Sequence, residues 1–122
     1  MSTAQASDVA SRFLEALAQH DFDAVGEAFM PDGRLRGLVP TALRELEGPE
    51  AIAARFRMWS GDGEIVESGY EDFADLVKLR WRIRETDDEG RPAVFEQTAY
   101  AEIGDDGIAW MNLLCSGQRP AD

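Results

Sequence analysis

Between Leu76 and Gly117, apolar and polar residues alternate along three runs, LVKLRWRIRE, AVFEQTAYAEI and IAWMNLLCSG, separated by TDDEGRP and GDDG. In the first run Val77, Leu79, Trp81 and Ile83 fall on one parity, and Lys78, Arg80, Arg82 and Arg84 on the other. A period of two sends successive side chains to opposite faces of an extended chain, and no helix keeps it. The apolar series continues through Phe95, Gln97, Ala99, Ala101 and Ile103 in the second run and through Ala109, Met111, Leu113 and Cys115 in the third. The Asp- and Gly-rich breaks carry turn chemistry, so the three runs predict two consecutive hairpins. Pairing like faces sets Glu96 and Glu102 across from the basic series, and places Tyr100, Trp110 and Leu114 on that same outer parity.

Upstream the period becomes helical. Ser7 or Asp8 can cap a helix bearing Val9, Phe13 and Leu17 on one face, and the pattern breaks at Gln19-His20-Asp21. Asp21 can cap a shorter helix through Phe22, Val25 and Phe29, stopped by Pro31-Asp32-Gly33. Leu35 to Val39 reads as a short strand ended by Pro40, with Arg34 and Arg36 opposite the Leu35 and Gly37 series; a slip of one residue would turn both arginines inward. Gly48-Pro49 opens a third helix with Ile52, Phe56 and Trp59 on one face, and SGDG ends it. Glu64 to Phe73 reads as a strand with a defect at Gly69, anchored by Tyr70 and Phe73. Helices first and a strongly bent antiparallel sheet afterwards define an α+β order with helices on one sheet face. No repeat, linker or low-complexity tract interrupts it, so residues 1–122 are expected to form one domain.

Composition narrows the function classes. With 44% hydrophobic and 30% charged residues in 122, the chain is globular in type. Twenty-four acidic against twelve basic residues give a net charge of −12, whose field repels phosphate backbones and argues against nucleic acid. The N-terminus lacks the basic and apolar regions of a secretory leader, no run reaches membrane-spanning length, and one cysteine rules out an internal disulfide. A cytoplasmic location away from membranes is the expectation. His20 is the single histidine, placed where an imidazolium complements the end of the first helix, and without a Cys/His cluster no metal is expected. Nor is a cofactor. Cys115 has no basic neighbour to lower its pKa and reads as a structural thiol. Gln97 is the one clearly polar side chain on the apolar series of the middle strand; it is either a satisfied core amide or a group that orients a ligand.

The order of VASRFLEALAQHDFDAVGEAFMPDGRL, GPEAIAARF, LVKLRWRIRE and GDDGIAWMNLL resembles the nuclear transport factor 2-like superfamily, in its SnoaL-like, ketosteroid isomerase-related group. The resemblance spans nearly the whole chain. It implies a cone-shaped, cystatin-like fold, in which a curved sheet wraps the N-terminal helices around a pocket, and a homodimer through the outer sheet face at Tyr100, Trp110 and Leu114. It also brings a test. The ketosteroid isomerase relatives use a tyrosine, an aspartate base and a protonated aspartic acid, and the matching positions here are Phe13, Gly37 and Ala99, none of which moves or donates a proton. The Arg-x-Asp pair of the limonene epoxide hydrolases is met by Arg82-Ile83-Arg84, which lacks the carboxylate.

These residues lead to a dimeric domain that binds a hydrophobic small molecule in its cone without the ketosteroid isomerase residues. The lining is expected from Phe13, Leu17, Phe56, Trp59, Tyr70, Trp81, Gln97, Ala99, Met111 and Cys115. Two alternatives stand beside it. One is a cofactor-independent cyclase, isomerase or hydrolase acting on a polyketide-like or cyclic substrate, with Gln97 and Tyr70 orienting it; the other is a dimerisation or accessory domain whose pocket is filled by Phe13, Phe56, Trp59 and Trp81.

Overall fold

Residues 3–121 are described by a computed structural model; Met1, Ser2 and Asp122 lie outside them. Three helices precede or interrupt a curved sheet: α1 (Thr3–Ala18), α2 (Phe22–Glu27), β1 (Phe29–Val39), β2 (Ala42–Glu47), α3 (Pro49–Ser60), β3 (Glu64–Phe73), β4 (Leu76–Thr86), β5 (Pro92–Gly104), β6 (Gly107–Cys115) and β7 (Arg119–Pro120). The sheet runs β2-β1-β6-β5-β4-β3, with β7 paired to the start of β5. All pairings are antiparallel except β1 with β6. The sheet is therefore mixed, because the chain leaves β1 through β2 and α3 and returns to lie beside it only after three further hairpins, β3–β4, β4–β5 and β5–β6.

The alternation that predicted β4, β5 and β6 is the alternation of burial. Val77, Leu79, Trp81 and Ile83 are buried, as are Phe95, Gln97, Ala99, Ala101 and Ile103. The third series is displaced at its start. Ile103 pairs with Ile108 while Glu102 pairs with Trp110, so Ala109 is the extra residue of a bulge and Ile108, rather than Ala109, faces inward. In β3 the irregularity lies between Ile65 and Glu67, not at Gly69. Gly69 has another reason: a Cβ there would stand 3.0 Å from the Arg80 guanidinium, which crosses it to reach Glu67 at 3.3 Å.

Three boundaries differ from the sequence reading. Helix α1 begins at Thr3, so Ser7 and Asp8 lie inside it; Ala6 is buried and the Gln5 amide donates to Asp105 O at 2.8 Å, so tertiary contacts carry the helix past the local caps. Phe29 opens β1 instead of closing α2, because Ile108 N–H donates to Ala28 O at 2.9 Å and ties that point to β6. The segment Ala42–Glu47, left unassigned by its pattern, forms a hairpin with β1. Asp21 does cap α2, accepting from Ala24 N–H at 3.2 Å. His20 sits in the corner with φ 59°, and its ring Nε2 lies 2.6 Å from Gly63 O. A carbonyl can only accept, so Nε2 carries the proton, and this bond fastens the α1–α2 corner to the end of α3.

Helices α1 and α3 cover one face of the sheet. Val9, Phe13 and Leu17 of α1 and Ile52 and Phe56 of α3 join Leu79, Trp81, Ala99 and Met111 in one buried cluster, the two apolar faces each removing the other from water.

Candidate functional site

The face covered by the helices is where the resemblance places a pocket, and its buried residues come from five elements. Phe13 and Leu17 of α1, Phe56 of α3, Trp81 of β4, Gln97 and Ala99 of β5 and Met111 of β6 are all 2% exposed or less. Trp59 and Cys115 are half-buried against the same cluster. Tyr70 is not drawn into it: the ring is exposed at the rim, its hydroxyl paired with Ser11 Oγ at 3.3 Å.

Aromatic rings occupy the centre. The Phe13 ring lies 5.5 Å from those of Phe56 and Trp81 and 6.2 Å from that of Phe29, and Phe56 meets Trp59 edge-on at 5.4 Å. Such edge and tilted contacts are the favoured geometries of aromatic quadrupoles. Trp59 reaches across to β1, where Gly37 leaves it room. A Cβ on Gly37 would stand 2.9 Å from Trp59 Cη2 and 3.4 Å from Cζ2, so with any side chain there the indole would have to shift. Arg55 holds the other side of this ring, its guanidinium carbon 5.9 Å from the centroid. The surface clefts run elsewhere, along the outer face of β1, β2 and β6 and beside α1.

Polar groups inside are few. Among the described residues the buried polar side chains are those of Ser60 and Gln97. Trp81 Nε1 lies 2.8 Å from Gln97 Oε1, a fully buried hydrogen bond. The indole N–H is a donor only, so it settles which end of the amide faces it: Oε1 is occupied and Nε2 points away. Gln97 Nε2 and Ser60 Oγ are the two buried side-chain atoms described without a hydrogen-bond partner. Cys115 Sγ accepts from Gly117 N–H at 3.4 Å, so the thiol closes a local turn. No three His, Cys, Asp or Glu residues gather in metal-holding positions among the described residues, and no described helix is long and apolar enough to cross a membrane.

The outer face has a different composition. Arg34 and Arg36 point away from the helices, facing Glu47 and Glu45 at 3.8 and 4.0 Å, which closes the question of their register. Glu67 of β3 sits between Arg80 and Arg82 at 3.3 and 3.5 Å, and Glu96 meets Arg82 at 3.3 Å, so the two middle arginines of the basic stripe of β4 are matched by carboxylates. Beside these charges lies an apolar row that the sequence reading missed in part. Leu43 pairs with Leu38, and Leu38 with Leu114, and all three are about half exposed, at 45%, 51% and 51%. Tyr100 and Trp110 lie on the same face, with Phe73 against Tyr100 at 5.3 Å.

Comparison with known proteins agrees with this architecture. The SnoaL-like domain model matches residues 10–111, and the chain belongs to that family. No curated protein matches it in sequence. Among solved structures, Bal32a from a soil-derived mobile gene cassette is 16% identical with a TM-score of 0.75, covering 93% of this chain and 90% of that one. A candidate polyketide cyclase from Xanthomonas campestris pv. campestris is 17% identical with a TM-score of 0.72, covering 91% and 90%. A protein with a ketosteroid isomerase-like fold from Catenulispora acidiphila, solved with trimethylamine, is 12% identical with a TM-score of 0.69, covering 87% and 83%. At such identities the likeness establishes the fold: helices against a curved, open, strand-rich sheet of the nuclear transport factor 2-like kind.

Proposed function

We propose that this chain is a non-catalytic SnoaL-like domain that holds a small hydrophobic molecule inside its cone and pairs with a second copy through the outer sheet face. One observation carries the reading: the buried polar side chains among the described residues are a serine and a glutamine, so no described carboxylate, imidazole or amine reaches the interior. Proton transfer at carbon needs a positioned base and donors aimed at the developing oxyanion, which contribute about 10²–10⁴-fold and about 10²–10³-fold per donor. Phe13, Gly37 and Ala99, which stand where the resemblance puts those groups, supply neither. Burial of apolar surface stabilises a bound molecule without any of them.

Pairing is supported by the row Leu43, Leu38 and Leu114 beside Tyr100 and Trp110, an apolar strip with charged residues at its border, which is the composition of an interface core and rim. The packing of Phe13, Phe56, Trp59 and Trp81 favours a second reading, in which the rings fill the cone and the domain acts by dimerisation alone.

A Δ5-ketosteroid incubated with purified protein, followed by conjugated enone absorbance beside a thermal-shift screen of hydrophobic ligands, separates these readings. Stabilisation by ligand without turnover is expected. Turnover near 1 per second, the lower end of ordinary enzyme rates, would overturn the non-catalytic reading, and a screen with no stabilising ligand would leave the filled cone in its place.

A further inference from the structure

The interior holds one polar atom whose chemistry is fixed and unused. Gln97 is 1% exposed, its Oε1 is taken by the Trp81 indole at 2.8 Å, and its Nε2 has no partner. A buried amide NH₂ without an acceptor is destabilising, and exchanging the two ends of the amide cannot relieve it, because the indole would then face a donor. The interior therefore asks for an acceptor and has no use for a donor at this point.

Trp59 indicates where a ligand gains room. It is the half-buried member of the aromatic group, and it lies over Gly37, a residue with no side chain to hold it from below. Gly37 is the ladder partner of Leu113, and Cys115, two residues further along the same face of β6, is the partner of Gln97. Gln97 thus stands on the diagonal from Leu113, and Gly37 lies one strand further on; two strand spacings of about 4.8 Å separate β5 from β1, so a molecule seated in place of the indole and the Gln97 side chain have to meet over β6. Phe56 touches both Trp59 and Trp81, so these rings share one wall.

We propose that the cone takes a small, flat, mainly apolar molecule bearing one hydrogen-bond acceptor, a carbonyl or ether oxygen received by Gln97 Nε2, and that it enters by displacing the Trp59 indole from above Gly37. This rests on the reading of the chain as a ligand-binding domain and adds the class of ligand and the group that selects it. Gln97 acts by accepting Trp81 on one side and donating to the ligand on the other, and no bond is made or broken.

The test compares 1-indanone with indane, which differ by the carbonyl, in titration calorimetry against the wild type, Trp59→Ala and Gln97→Met, with circular dichroism as the check on folding. An emptied apolar cavity binds apolar guests whatever its origin, so the preference between the two probes is the informative quantity. The wild type is expected to favour indanone roughly fivefold, the ratio a net hydrogen bond of about 1 kcal/mol gives. Trp59→Ala should bind both probes more tightly with the ratio kept, and Gln97→Met should lose the ratio. If Gln97→Met does not fold, the ratio in the wild type and in Trp59→Ala still decides. Equal binding of the two probes would overturn the inference and leave the ligand-binding reading standing. Binding of neither probe to the wild type or to Trp59→Ala would overturn both.

Discussion

Phe13→Ala tests whether the interior is held by its rings. Phe13 is fully buried and meets Phe29, Phe56 and Trp81 at 6.2, 5.5 and 5.5 Å, so truncation removes the side chain's own burial and three ring contacts together. Core Phe→Ala changes cost about 3–5 kcal/mol, and aromatic pairs add roughly 0.5–1.5 kcal/mol each beyond area burial, which sets the expectation in the upper part of that range, near 4 kcal/mol. For 122 residues, an unfolding entropy of about 2.1 cal/mol/K per residue converts this to a melting-point loss of roughly 15 °C. Urea titration followed by circular dichroism measures the same quantity from the shift in midpoint at unchanged slope. A loss below about 1 kcal/mol would refute the argument, since it would mean that the ring lines an open, solvated space and its neighbours do not close on it.

Two further outcomes follow from the outer face and the β4–β5 turn. Trp110→Glu places a carboxylate beside Glu102, its partner across the β5–β6 ladder, and should convert a dimer to monomers in sedimentation velocity; a wild type already monomeric at tens of micromolar would remove the proposed pairing. Asp87 has its carboxyl held below the ordinary carboxylate range, first by the Arg91 backbone N–H, then by that of Glu89 and by the Arg91 guanidinium. A depressed folded-state pKa contributes stability that is present above the unfolded value and lost as pH falls through the folded one. Asp87→Asn should therefore flatten the loss of stability between about pH 4 and more acid conditions, and identical acid profiles for variant and wild type would contradict this.

The legible parts of this chain are those where both faces of an element carry a message. In β4 the apolar series and the arginine series specify opposite surroundings, so one register alone satisfies both, and the same holds for Phe95 to Ile103 against Glu96 and Glu102. Local pattern failed where a long-range contact decided. Phe29 keeps helical spacing from Phe22 and Val25, yet the bond from Ile108 N–H to Ala28 O fixes its backbone to β6, nearly eighty residues away. Strand β2 was invisible because Ala, Leu, Arg and Glu are helix formers, and because its two leucines face opposite ways, Leu46 toward the core and Leu43 outward, as an edge hairpin allows. Burial is what periodicity reports, and Phe13, Leu17, Phe56, Trp81, Ala99 and Met111 are buried in one cluster with Trp59 and Cys115 packed against it. Periodicity does not report how rings tilt into one another, so it offers Phe13, Phe56, Trp59 and Trp81 as a filled pocket only as one alternative, and it cannot give the orientation of the Gln97 amide, which depends on one indole across the ladder.

The positions where the resemblance would put reactive groups are positions that aromatic packing uses. An acid–base cone needs polar groups that approach one another and space for a substrate between them, and both requirements fall on the same few residues. Here Phe13 contributes a ring where a hydroxyl would donate, and that ring is the hub of three aromatic contacts. Gly37 contributes no side chain where the resemblance would put a base, and the Trp59 indole lies over it; a Cβ alone would come to 2.9 Å of that ring, so a base there would require the indole to move. Ala99 lies fully buried between Leu79 and Leu113 of the flanking strands, where a carboxyl would be desolvated against apolar neighbours. At each of these positions apolar contact stands where the resemblance would put a group that has to be kept ionised or hydrogen-bonded in a dry site. The buried polar side chains among the described residues are Ser60 and Gln97, and on the proposed reading the Gln97 amide, already accepting from Trp81, offers a ligand's acceptor a donor and has no proton to exchange with it.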